Sequence, residues 1–129
     1  AAMVRAHWLR GIGPRGYRHA YAVYAPPDDF WMRQFGHGQT HPHLFALEVL
    51  VECGVIGLLG FIAWYGLLLR ACWGPTVGHV VPVWLIGAAV ATFPLNAHLA
   101  FYSAYWSSLV WLLFGIGLAE RRAVVHTAS

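Results

Sequence analysis

Thr40-His41-Pro42-His43-Leu44, running into Phe45-Ala46-Leu47-Glu48-Val49-Leu50-Val51-Glu52-Cys53-Gly54-Val55-Ile56-Gly57, divides the chain in two. Before it the sequence is polar, aromatic and arginine-bearing; after it lies almost pure hydrocarbon. A watery loop therefore turns into a membrane helix at His43. Pro42 has no N–H to lose and suits the first helical position, with Thr40 or His41 as cap. The first-turn amides are then expected to point outward around His43, beside the positive end of the helix dipole. Such an end attracts anions and favours a neutral imidazole, which serves both a phosphate-bearing ligand and a histidine base.

Residues 44–69 are long enough to cross a hydrocarbon core of roughly 30 Å at about 1.5 Å per residue with some tilt. Glu48 and Glu52 lie one turn apart on its entering half. Carboxylates at such a depth face water, a cavity or a partner, so they are candidate functional groups, with structural pairing to an arginine as the equal alternative. Gly54, Gly57 and Gly60 give a smooth strip suited to close packing on a neighbouring helix. Cys53 and Cys72 are too far apart along one straight helix for a disulfide, which leaves them packing roles.

Further on, a second span is expected at about 80–97, with Pro82 near its start and Pro94 near its end. Pro94, Asn96 and His98 suggest a broken helix end, tolerated where protein or water satisfies the freed carbonyls. His98 would return to the side of His43, either lining the same cavity or capping the helix. Phe101, Tyr102, Tyr105 and Trp106 form an aromatic belt leading into a third span at about 102–119. Glu120-Arg121-Arg122 closes that span, and 123–129 reads as a frayed tail.

Upstream, residues 1–39 hold no sustained period and are punctuated by Gly-Pro, Pro-Pro-Asp-Asp and Gly-His-Gly, as a loop with short helical or extended pieces is. Within them, Gly11, Gly13 and Gly16 let backbone N–H groups approach a ligand, while Arg15 and Arg18 supply charge. A tight turn carrying two solvated arginines is the plainer alternative. No strand precedes these glycines, which argues against a dinucleotide fingerprint.

Composition agrees with a membrane protein: of 129 residues, 59% are apolar, 16% aromatic and only 10% charged. Ala1 to Leu9 reads as mid-chain sequence, so the chain is expected to be the C-terminal piece of a longer protein. All eight basic residues are Arg, whose planar fork matches phosphate, and the net charge is +3. No basic run or basic helix face suggests nucleic acid. His37, His41 and His43 invite a metal reading, but no Cys or Asp nearby completes a zinc set.

His43, nine residues between Leu44 and Gly54, then two residues to Gly57 resembles the signature of the bacterial O-antigen ligase and O-antigen polymerase family. The family usually has an amide or hydroxyl where this chain has Leu44. Arg5-Ala6-His7-Trp8-Leu9 also fits the family's Arg, three residues, Leu pattern. The resemblance implies an all-α membrane protein fragment: an extracytoplasmic (periplasmic) loop at 1–43, three transmembrane helices within 44–122 and a cytoplasmic tail at 123–129. These would form part of a multi-helix fold of the GT-C type. It further implies a glycosyltransferase without metal or cofactor in the bacterial inner membrane. The donor would be an undecaprenyl-pyrophosphate-linked glycan and the acceptor lipid A-core or another envelope molecule. His43 is then the catalytic base. Arg15, Arg18, Arg10 and Arg5 hold the donor diphosphate, with His41, Glu48 and Glu52 in support. Near the span ends Arg33 faces Arg70, Arg121 and Arg122, which also orients the loop outward. A polymerase or a protein ligase would share these motifs, and a lipid-linked sugar transporter would use the arginines without chemistry.

Overall fold

The computed structural model describes residues 2–73, 83–96 and 103–127. Among them all regular structure is helical: α1 (Ala2–Ala6), α2 (Tyr17–Tyr24), α3 (Phe30–Phe35), α4 (Phe45–Trp73), α5 (Val83–Ala91) and α6 (Ala104–Thr127). The first three are the short pieces expected within the loop. In α3 both ends are set locally: the Asp29 carboxylate accepts from Met32 N at 3.0 Å, and Gly36 ends the helix at φ 70°.

The helix after His43 does not begin where Pro42 suggests. Pro42 is buried ahead of the helix, which starts three residues later at Phe45. Nor do its first amides point outward around His43. Phe45 N donates to Asn96 O and Ala46 N to Pro94 O, both at 3.0 Å. The carbonyls that follow α5 thus occupy the donors an anion would have used.

α4 is also not one straight rod. At Gly54 the backbone takes φ 67°, ψ −166°, which is non-helical and open to glycine without the Cβ penalty. The rings of Phe45 and Phe61 lie 5.1 Å apart. Sixteen residues of straight helix would separate them by about 24 Å. Residues 45–53 therefore fold back against residues 55–73, and Phe45, Val49 and Phe61 form one buried cluster between the two halves. Gly57 serves this contact, since a Cβ there would collide with the Cys53 side chain. Gly60 has open space around it. The expected glycine strip is thus divided: Gly54 turns the chain, Gly57 admits the other half of its own helix, and Gly60 contacts nothing.

The second half of α4 packs with α5 and α6. Leu68, Leu85, Ala88 and Ala89 make its buried centre, joined by Trp64, Tyr65, Leu113 and Phe114. Tyr65 Oη donates to Ala89 O at 3.2 Å, and the absent side chain of Gly117 admits Leu85, whose N would lie 3.0 Å from a Cβ. No disulfide joins Cys53 and Cys72. α5 ends at Ala91, before Pro94, and Asn96 Nδ2 donates to Val90 O at 2.8 Å. A protein group thus satisfies a freed carbonyl at the helix end, as the Pro94-Asn96 pattern suggests.

α6 runs to Thr127, past the end expected at 119, and takes in much of the tail expected at 123–129. Its Arg121 Nη1 donates to Ala71 O at 2.7 Å, so Glu120-Arg121-Arg122 binds the end of α4 instead of ending α6. α4 itself continues through Arg70 to Trp73. The start of the second span with Pro82, and Phe101, Tyr102 and His98, lie outside the described residues. Among those described, α4 is the helix long and apolar enough to cross a membrane. The fold-back leaves residues 55–73 as its straight part, about 28 Å of helix.

Candidate functional site

A broken helix leaves carbonyls without amides and amides without carbonyls. At Gly54 a strap of turn residues, 8–13, supplies both. Ile12 N donates to Val51 O at 3.0 Å and Gly13 N to Glu52 O at 2.9 Å. In the other direction, Val55 N donates to Trp8 O at 2.8 Å and Ile56 N to Leu9 O at 3.3 Å. Two glycines make the approach possible. A Cβ on Gly54 would stand 2.6 Å from Arg10 N, and one on Gly11 would stand 2.5 Å from Cys53 N. The Gly11 and Gly13 amide region, expected to face a ligand, is thus engaged with the helix break.

Glu52 continues this attachment. Its side chain is only 2% exposed and its carboxylate accepts from Arg15 N and, at 3.4 Å, from Tyr17 N. Arg15 sits at φ 61°, an uncommon conformation for a residue with a side chain, which aims its amide at Glu52. The guanidiniums of Arg15 and Arg18 also act on Glu52 electrostatically. Glu52 is thus the acceptor that fixes the start of α2 with its two arginines. Glu48 is equally buried at 2% exposure. Replacing Glu52 by Ala leaves two amides without their acceptor, at about 1–3 kcal/mol for each one kept from water. Hydrogen exchange at Arg15 and Tyr17 should accelerate sharply in that variant, and unchanged protection there would contradict this role.

The histidines lie beside that charge. The His41 and His43 rings are 5.0 Å apart, edge to face. His43 is exposed and its Nε2 is 3.3 Å from Gln39 Oε1, while His41 Nδ1 is 3.0 Å from Thr40 Oγ1. With Nε2 donating to Gln39, Nδ1 of His43 carries the free lone pair. Burial pushes the His41 imidazole below its ordinary value, and the neighbouring His43 and the Arg18 charge push it the same way. A lowered value favours the neutral ring. It contributes stability above the unfolded value of about 6.5, and that contribution is lost as pH falls through the folded value. Arg18→Gln removes one of the three causes and should raise the midpoint of His41 in an NMR titration. A midpoint unmoved by the substitution would place Arg18 away from the ring.

Two of the four candidate arginines act on the groups just described. Arg18 bears on His41, and Arg15 and Arg18 bear on Glu52. Arg5 ends α1 and Arg10 lies on the strap; both are exposed, and among the described residues no hydrogen bond or ion pair joins either to His43. Nor do three His, Cys, Asp or Glu side chains group as a metal site needs among the described residues.

Two parts of the site are not named by the motifs. Gln39, which orients His43, has no signature in the sequence. Tyr17, Tyr21 and Tyr24, at helical spacing along α2, border a cavity of about 190 Å³ whose other walls include Met3, Leu47 and Val51. Their rings are held in place: Tyr21 Oη donates to Asp29 Oδ2 at 2.9 Å, and Tyr24 Oη lies 2.8 Å from His7 Nε2. Burial and the nearby Asp29 charge raise the Tyr17 phenol above its ordinary value, so it stays a neutral hydroxyl. No protein-family model, curated protein or solved structure matches this chain.

Proposed function

We propose that the chain takes part in metal-independent transfer of a glycan from a polyprenyl diphosphate to a hydroxyl of a membrane-bound acceptor. In the most concrete form the donor is undecaprenyl-pyrophosphate-linked O-antigen and the acceptor lipid A-core. The reaction runs on the periplasmic face of a multi-pass inner-membrane protein of the GT-C type with three spans in this chain. The motif resemblance around His43, Gly54 and Gly57 motivates this reading. The observation that carries it is that the His41 and His43 rings pack edge to face while the Arg18 charge, more than twenty residues earlier in sequence, acts electrostatically on His41.

The acceptor oxygen attacks the anomeric carbon, and the bond from that carbon to the diphosphate oxygen breaks with its electron pair leaving on the diphosphate. The acceptor's proton passes to the free nitrogen of His43, which a neighbouring neutral His41 leaves unopposed by a second positive charge. Arg18 and Arg15 stabilise the departing diphosphate by charge-assisted hydrogen bonds. Arg10 and Arg5 are the weaker candidates, since Arg10 lies on the segment bound to the backbone of α4 and Arg5 ends α1, and among the described residues neither is bonded to His43. Glu52 acts through the loop by holding both site arginines. A sugar ring finds aromatic faces in the cavity that Tyr17, Tyr21 and Tyr24 border.

The test is glycan transfer by the intact protein carrying Arg18→Gln. Donor affinity should fall, since a bidentate cation is lost, and unaltered donor affinity and turnover would remove Arg18 from the site.

A further inference from the structure

Hydrogen bonds fix the strap to one level of the helix. Trp8 O and Leu9 O receive Val55 N and Ile56 N, the first amides of the straight apolar part of α4. The side chains of Trp8, Leu9 and Arg10 are all exposed there, beside Ile56. Below that level, Ile56, Leu59 and Ile62 follow at helical spacing, each more than half exposed, and no charged residue occurs until Arg70. At the far end Arg70 is exposed, Trp73 is 81% exposed, and Arg121 is bonded to Ala71. Indole and guanidinium groups thus bracket both ends of an uncharged band. From residue 55 to residue 69 that band measures about 21 Å along the helix. A hydrocarbon core of about 30 Å with arginines reaching outward from its edges matches it.

We infer that the bilayer surface lies at the Gly54 break and that Trp8-Leu9-Arg10 is its anchor, an aliphatic-aromatic strap with a cation for lipid phosphate. The inference rests on the membrane reading of α4 and not on the glycosyl-transfer chemistry. The occupant of this face is a lipid bilayer because the exposed strap continues the exposed apolar face of the helix without a gap. Tryptophan settles at the headgroup level and arginine pairs with anionic headgroups. The boundary is therefore made jointly by two segments more than forty residues apart in sequence, whereas the hydropathy change at residue 44 lies ten residues upstream of it.

The experiment places single cysteines at Trp8, Ile56, Ile62 and Trp73 in a Cys53→Ala, Cys72→Ala background of the whole chain. Each is exposed, so a label is accommodated. The proteins are labelled with the fluorophore NBD and reconstituted into vesicles of phosphatidylethanolamine and phosphatidylglycerol, 3:1. Quenching by lipids brominated near the headgroup or deep in the chain gives depth. Labels at Trp8 and Ile56 should report the same shallow depth, Trp73 the opposite surface, and Ile62 the deep quencher at least fivefold more strongly than Trp8. A Trp8 label quenched by aqueous iodide and by neither lipid overturns the anchor, even with Ile62 deep. Ile62 in water overturns the membrane reading itself, and Ile56 as deep as Ile62 moves the boundary back toward residue 44.

Discussion

Replacing His43 by Ala in the intact protein should reduce glycan transfer by about 100- to 10,000-fold, the usual contribution of a positioned general base. Donor binding should survive, because the diphosphate is assigned to Arg15 and Arg18, which sit on a different segment. The side chain is exposed and, among the described residues, its hydrogen bond is to Gln39, so its removal costs little packing. The measurement pairs transfer in membranes with binding of the diphosphate-linked donor to purified protein. A transporter would retain most of its activity in this variant, and that outcome would end the transferase reading. Gln39→Ala should give a smaller loss in the same assay, since it frees the imidazole to rotate without removing it.

Gly54→Ala should have the largest structural effect of any single change. Alanine at φ 67° carries a left-handed penalty of about 1–2 kcal/mol, and its methyl group would occupy the space of the Leu9 and Arg10 backbone. The same alanine fits an uninterrupted helix without cost. The substitution therefore favours straightening of residues 45–73 and expulsion of the strap, with the four backbone hydrogen bonds across the break lost together. Spin labels at Leu47 and Ile62, both exposed, should move apart toward about 22 Å, the length of fifteen residues of straight helix. Glu52 would lose its hold on Arg15, so activity should fall as well. An unchanged label distance would show that the bend survives a side chain at Gly54, and the account of the break would be wrong.

Two glycines show how a pattern and its use differ. Gly11 and Gly54 stand out in the sequence, one as part of a loop suited to phosphate, the other as part of a small-residue strip. In the fold both serve one junction from its two sides: a Cβ on Gly11 would meet the backbone of Glu52 and Cys53, and one on Gly54 the backbone of Leu9 and Arg10. Sequence pattern registers the missing side chain at each position but carries nothing about which backbone approaches it. Glu52 is similar. A carboxylate at that place reads as a group in search of a partner, and the partners are main-chain amides of Arg15 and Tyr17, which no residue type announces.

The sequence by itself determined that a polar loop gives way to a long apolar helix near residue 44. It also determined that the regular structure among the described residues is helical, and residue type alone marked His41, His43, Arg15 and Arg18 as candidates. Those are properties of residue type and local period, which the chain carries before it folds. The tertiary structure alone decided that the helix doubles back at Gly54, that its first amides meet the carbonyls of Pro94 and Asn96, and that the Arg15 and Tyr17 amides meet the Glu52 carboxylate. Each depends on distant segments satisfying one another's backbone groups. A buried amide accepts any carbonyl of suitable geometry, so side-chain identity does not encode that match.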